Sequence, residues 1–159
     1  MELFIYLFAA LFSVLNPIGT VPIFVALTEG YTSAERAKVS LITSINVLII
    51  LLISFFIGQY VLSFFGITIT ALRIAGGIII TSSGFGLLNG NFSKSKGINK
   101  KVQKEVQNRT HIALTPLAMP MLAGPGSISL LIAYYQEHNT TSEIIISTIS
   151  ITVVAVTIY

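Results

Sequence analysis

Cysteine is absent from this chain of 159 residues, which excludes disulfides, thiolate metal sites and cysteine nucleophiles. Charge is scarce: Asp, Glu, Lys and Arg make up 9% of the residues, against about 25% in an average soluble domain. From Val39 through Leu72 none of the four occurs, although about 18 apolar residues are enough to propose a membrane span. The acidic residues are Glu2, Glu29, Glu35, Glu105, Glu137 and Glu143, all near the ends of apolar segments, so none is placed to carry a proton inside a bilayer. His111 and His138 lack partners at metal-ligand spacing, and no catalytic constellation is visible. The expectation is therefore a non-enzyme with no metal and no other cofactor.

What the chain does have is apolar length. Hydrophobic residues make up 53% of it and its mean hydropathy is +0.86, which points to a single all-α membrane domain over residues 1–159. Five apolar segments can be drawn, near Leu3–Leu27, Val39–Phe64, Ile67–Leu88, Ile112–Tyr134 and from Ile144 to Tyr159. The first opens on Glu2 without a basic stretch and stays apolar well past the length of a signal, so it is expected to be retained as a helix. Thr32-Ser33-Ala34-Glu35 has the spacing of a capping box and predicts a helix start at Thr32.

Two of these segments are interrupted. Leu15-Asn16-Pro17-Ile18-Gly19-Thr20-Val21-Pro22 breaks the first, and Leu114-Thr115-Pro116-Leu117-Ala118-Met119-Pro120 with Gly124-Pro125-Gly126-Ser127 breaks the fourth. Proline has no N–H to donate and leaves the carbonyl four residues earlier without its helical partner, a cost of several kcal/mol in hydrocarbon. Matched interruptions of this kind mark the binding site of secondary transporters. Freed carbonyls of Ser13, Ile18, Pro116 and Met121 suit an ammonium group or a cation. Gly19, Gly124 and Gly126 permit close backbone approach. Amides after Pro125, on Gly126 and Ser127, suit a carboxylate. Side chains of Asn16, Thr20, Thr115 and Ser127 can orient the ligand. With Pro17, Pro22, Pro116, Pro120 and Pro125 these residues form the candidate substrate site, which fits a zwitterion with an uncharged side chain. The rival reading is that the prolines only kink helices that neighbours then seal.

Arg73 is the one cation inside a drawn span; a charge there is either a gating or substrate contact, or an interfacial anchor that snorkels outward. Gly76 and Gly77, repeated seven residues on by Ser83 and Gly84, form a small-residue face for helix packing. Positive charge is concentrated in two connections: Arg36 and Lys38 in one, and Lys94, Lys96, Lys100, Lys101, Lys104 and Arg109 in a basic loop over residues 89–111. Those loops are expected in the cytoplasm and the amino terminus outside, with Tyr6, Tyr60, Tyr134 and Tyr135 at the outer interface. The net charge of +3 is then a topology signal with some attraction to anionic lipid, not a nucleic-acid footprint.

The interruptions, together with Phe64-Phe65-Gly66-Ile67 and Leu72-Arg73-Ile74-Ala75-Gly76-Gly77, resemble the MarC family of bacterial and archaeal inner-membrane proteins along essentially the whole chain. The resemblance implies a six-helix bundle related to the lysine-exporter (LysE) superfamily, with members assigned as transporters of small neutral amino acids. It implies a 3+3 inverted repeat in which helices one and four are proline-broken, of which this chain supplies five segments out of six. A further span beyond Tyr159 is therefore expected. The leading expectation is a multi-pass inner-membrane transporter that exports or exchanges small neutral amino acids. The alternative is a non-transporting membrane assembly or regulatory protein. Expected partners are the bilayer, the amino acid and, as an open option, a second copy of the chain.

Overall fold

The computed structural model describes residues 2–88, 118 and 122–159, and all regular structure among them is helical. Six helices follow in order: α1 (Glu2–Leu15), α2 (Pro17–Leu27), α3 (Ser33–Phe64), α4 (Ile69–Leu88), α5 (Pro125–Glu137) and α6 (Thr141–Val156). The run Glu2–Leu27 and α3 are each long and apolar enough to cross a membrane. The 32 residues of α3 extend about 48 Å at 1.5 Å per residue, enough to cross a hydrocarbon core of about 30 Å with tilt. The first expected segment is thus two helices. The fourth is represented by its second half, α5, because most of residues 112–121 and the whole basic loop lie outside the described residues.

The helix starts follow local chemistry. Thr32 accepts from the Glu35 amide at 3.3 Å while the Glu35 carboxylate accepts from the Thr32 amide at 2.9 Å, the reciprocal box expected from the sequence. Thr140 and Glu143 build a second capping box at the start of α6. Gly30 (φ 79) and Gly66 (φ 67) take up the left-handed turns that end the first segment and join α3 to α4, where a side chain would be strained.

The main core is a set of stripes at three- and four-residue spacing: Leu7, Leu11 and Leu15 on α1 meet Val47, Leu51 and Phe55 on α3, Leu131 and Tyr134 on α5, and Ile151 and Val154 on α6. Ala118, Leu122 and Ala123, just before α5, are also fully enclosed. A smaller cluster of Ile23, Leu27 and Val39 fastens α2 to the start of α3. The outer faces carry Ile45, Ile49, Ile53, Ile74 and Ile78 in the open, the arrangement a lipid solvent requires.

Side-chain contacts fix the directions. Tyr6 stacks on Tyr134 and Val14 lies beside Gly126, so α1 and α5 are antiparallel. Arg73 meets Glu137 and Ile80 meets Gly126, so α4 is antiparallel to α5 as well. The Ser44 hydroxyl donates to the Ala155 carbonyl at 2.6 Å and Ser40 donates to the Ile158 carbonyl at 3.2 Å, which sets the start of α3 against the end of α6. Thus α1 and α5, which belong to the two interrupted segments, run in opposite directions.

Candidate functional site

The first interruption is a single residue in the left-handed conformation. Asn16 has φ 47 and ψ 61, and its side-chain oxygen accepts from the Gly19 amide at 3.1 Å, capping α2 while Pro17 takes the first helical position. Asn tolerates this backbone better than other residues with a Cβ. A proline at the helix start loses nothing, because its missing N–H would have had no partner. The Thr20 hydroxyl closes the turn by donating to the Asn16 carbonyl at 3.2 Å. Gly19 is required by closeness: a Cβ there would stand 2.4 Å from the Asn16 side-chain amide. Pro22 continues inside α2 and is exposed.

The second interruption is built differently. The Ala123 amide donates to the Ala118 carbonyl at 2.8 Å, a widened five-residue turn, and the Gly124 amide folds back to the Leu122 carbonyl at 2.9 Å. Gly124 is extended, at φ −89 and ψ 176, and gives α5 no side-chain cap. Pro125 opens the helix. The Ser127 hydroxyl, fully buried, donates to the Gly124 carbonyl at 2.9 Å. The amides of Gly126 and Ser127 meet no acceptor among the described residues, and they lie at the positive end of a 13-residue helix. Gly126 is buried, and a Cβ built on it would be 2.9 Å from Cγ1 of Ile80 and 3.6 Å from Cγ1 of Val14. Val14 stands two residues before Asn16, so the two interruptions occupy one region of the bundle.

Beside that region is a cavity of about 270 Å³. Pro17, Ile18, Thr20 and Val21 of the first interruption line it together with Leu122 from the second, Ser40 and Thr43 from α3, and the chain end from Thr157 to Tyr159. Phe12 and Phe24 complete its wall. No ionisable side chain other than the Tyr159 phenol is in the lining among the described residues. Asn16, Gly19, Pro22, Gly124, Pro125, Gly126 and Ser127 are not in the lining. Thr115, Pro116 and Pro120 lie outside the described residues.

Arg73 stands at the opposite end of α4 from this cavity. Its guanidinium donates to the Glu137 carboxylate at 2.5 Å and to the Ala133 carbonyl at 3.5 Å, tying α4 to α5, with the two side chains 46% and 57% exposed. Gly76 is pressed against α5, where an added Cβ would fall 2.1 Å from Ser129 Oγ, while Gly77 and Gly84 face open space among the described residues. The Ser83 side chain is not among those described.

Residues 1–159, the entire chain, match the profile of the MarC family integral membrane proteins. The chain belongs to the MarC family. It is 41% identical over 150 residues to a UPF0056 membrane protein of Buchnera aphidicola from Schizaphis graminum, an alignment covering 94% of this chain and 69% of the relative. It is 38% identical over 135 residues to the UPF0056 membrane protein YhcE of Escherichia coli, covering 85% and 62% of the two chains. It is 41% identical over 124 residues to the UPF0056 inner membrane protein MarC of Escherichia coli, covering 74% and 55%. The chain thus spans about two thirds of the length of the curated relatives it matches. No solved structure matches it.

Within this MarC-family bundle, the sequence reading located both interruptions but missed most of the wall between them. Phe12, Phe24, Ser40, Thr43, Leu122 and Thr157 carry no local mark of a site. Glu137 as the partner of Arg73, and Ser129, whose hydroxyl donates to the Leu72 carbonyl at 3.0 Å across the α4–α5 contact, were equally silent. The one usable signal was hydroxyl placement: Ser40, Thr43 and Ser44 cluster in an otherwise apolar stretch of α3.

Proposed function

We propose that this protein is a secondary transporter of small neutral amino acids, with its substrate site between the two interruptions. One observation carries the reading: antiparallel segments broken at matching places contribute Pro17, Ile18, Thr20 and Leu122 to a single cavity, near a helix start whose Gly126 and Ser127 amides meet no acceptor among the described residues. Acceptors for an ammonium group and donors for a carboxylate lie within one region, and the absence of a charged side chain in the lining disfavours a substrate with a charged side chain. In this reading the basic loops are cytoplasmic and the Tyr6 end faces outward. Labelling single cysteines at Lys100 and Asn139, on a background without native cysteine, is expected to reach Lys100→Cys only from the cytoplasmic side and Asn139→Cys only from outside.

A second reading has its own support. Asn16 caps its own helix and Gly126 is filled against Ile80, which is what purely architectural kinks in an assembly or regulatory protein would also need. Flux decides between them. The protein as its gene encodes it, reconstituted in proteoliposomes, is expected to move labelled alanine, glycine and serine, and not lysine or glutamate. Absence of saturable flux from correctly inserted protein favours the architectural reading.

A further inference from the structure

The cavity wall offers hydrogen-bond acceptors and almost no donors. A hydroxyl has one proton to give and two lone pairs. At four positions in the lining that proton is already committed to a backbone carbonyl, which can only accept: Thr20 donates to Asn16, Thr43 to Val39 at 2.8 Å, Thr157 to Val154 at 2.6 Å, and Ser40 to the Ile158 and Tyr159 carbonyls. Each of these oxygens can turn only lone pairs toward a ligand. Phe12 and Phe24 stand in the same wall, and an aromatic face attracts a cation. Pro17, also in the lining, has no N–H.

We propose that this cavity is the ammonium half of the site: it binds a primary alkylammonium group through the oxygens of Thr20, Ser40, Thr43 and Thr157, and rejects a carboxylate. This rests on the transport reading above and gives the substrate a direction, with its carboxylate end turned from the cavity toward the Gly126 and Ser127 amides. The chemistry is specific. A carboxylate brought into the cavity would face mostly oxygen lone pairs, with the Tyr159 phenol as the one lining hydroxyl not donating to a carbonyl among the described residues, whereas an ammonium group meets acceptors at Thr20, Ser40, Thr43 and Thr157. A quaternary ammonium has the charge and the size but no N–H, so it separates hydrogen bonding from charge attraction alone.

The test is thermal stabilisation of the purified, detergent-solubilised protein by propylammonium, tetramethylammonium and propionate, each titrated separately, since a ligand that binds the folded state raises its melting temperature. Propylammonium is expected to stabilise, the other two not. Thr43→Val and Ser40→Ala are each expected to weaken propylammonium binding about 3- to 10-fold, the size of one hydrogen bond. Stabilisation by propionate equal to that by propylammonium overturns the assignment, as does equal stabilisation by tetramethylammonium, which would leave charge and the aromatic wall as the whole attraction. The comparison of ligands needs no variant, so it stands if a substitution fails to fold. Amino-acid flux without propylammonium stabilisation sinks the ammonium assignment and leaves transport intact. Propylammonium stabilisation without flux does the reverse.

Discussion

The first interruption carries a side-chain cap and the second does not. At Asn16 the chain turns left-handed, and one side chain and one hydroxyl close the turn within five residues. At Gly124 the chain is extended without a side-chain cap, and the amides of Gly126 and Ser127 open α5 without an acceptor among the described residues. Both are breaks in antiparallel segments of one bundle, yet the first is closed by a side-chain cap and the second is open in that sense. In a low-dielectric setting unpaired amides are expensive. Among the described residues the Gly126 and Ser127 amides are therefore the donors of the second break that a ligand could meet.

The largest effect is expected from filling the open break. Gly126→Val places a branched side chain where the Cβ alone would stand 2.9 Å from Ile80, and overpacking of this kind costs about 3 kcal/mol at the upper end of its usual range. Its melting temperature in detergent and its flux are both expected to fall, while membrane insertion, driven by apolar length, is retained. The sharper experiment pairs Gly126→Ala with Ile80→Ala, which restores room for the new methyl. Recovery of stability without recovery of flux would show that backbone approach to the helix start serves the ligand. Recovery of both would make Gly126 a packing residue only.

Next in size is the closed break. Asn16→Leu removes the cap on the Gly19 amide and puts a residue with poor tolerance for positive φ at φ 47, together about 2 kcal/mol. Asn16→Gly keeps the turn and loses a few tenths of a kcal/mol. Equilibrium unfolding of the two variants reads the difference. Equal losses would mean that the left-handed turn is dispensable and that the joint is held by its neighbours.

This contrast also marks what the sequence could tell. Prolines and glycines act through their own backbone, so the break at Asn16–Pro17, the start of α5 at Pro125 and the helix start at Thr32 were legible residue by residue. The capping box at Thr140 and Glu143 has the same spacing as the one at Thr32, yet the sequence reading missed it. The partner of a group on another helix was not. That Gly76 meets Ser129 while Gly77 meets open space depends on which way α4 is rotated, and a seven-residue repeat of small residues does not specify that. The cavity is a still longer-range fact. It needs the start of α3 and the end of α6 to meet, as Ser40 and Ser44 show by reaching carbonyls of Ile158 and Ala155.

A smaller effect is expected at Ser127. Its hydroxyl donates to the Gly124 carbonyl and stiffens the extended residue before α5, so Ser127→Ala removes one buried hydrogen bond, about 1 kcal/mol. Ser127→Thr keeps the hydroxyl and is expected to recover flux if the added methyl is accommodated. A Ser127→Ala protein with unchanged stability and flux would mean that the open break is held by packing against α4 alone.

The smallest effect belongs to the ion pair that braces the far end of α5. Arg73 and Glu137 are each about half exposed, and an exposed pair contributes about 0.5 kcal/mol and weakens as salt screens it. Glu137→Gln leaves the guanidinium its contact with the Ala133 carbonyl and is expected to lower stability by about that much, less at high salt. Arg73→Gln loses the Ala133 contact as well and should cost slightly more, and the double substitution should add almost nothing to Arg73→Gln, since Glu137 acts through Arg73. The magnitude places the pair in the bilayer. A loss near 0.5 kcal/mol, sensitive to salt, puts the guanidinium in the headgroup region as an anchor for α4. A loss of about 3 kcal/mol or more from Glu137→Gln, recovered when Arg73 is also made Gln, puts an uncompensated cation in hydrocarbon. The contact between α4 and α5 would then be held together by charge at the end of α5 away from Gly126.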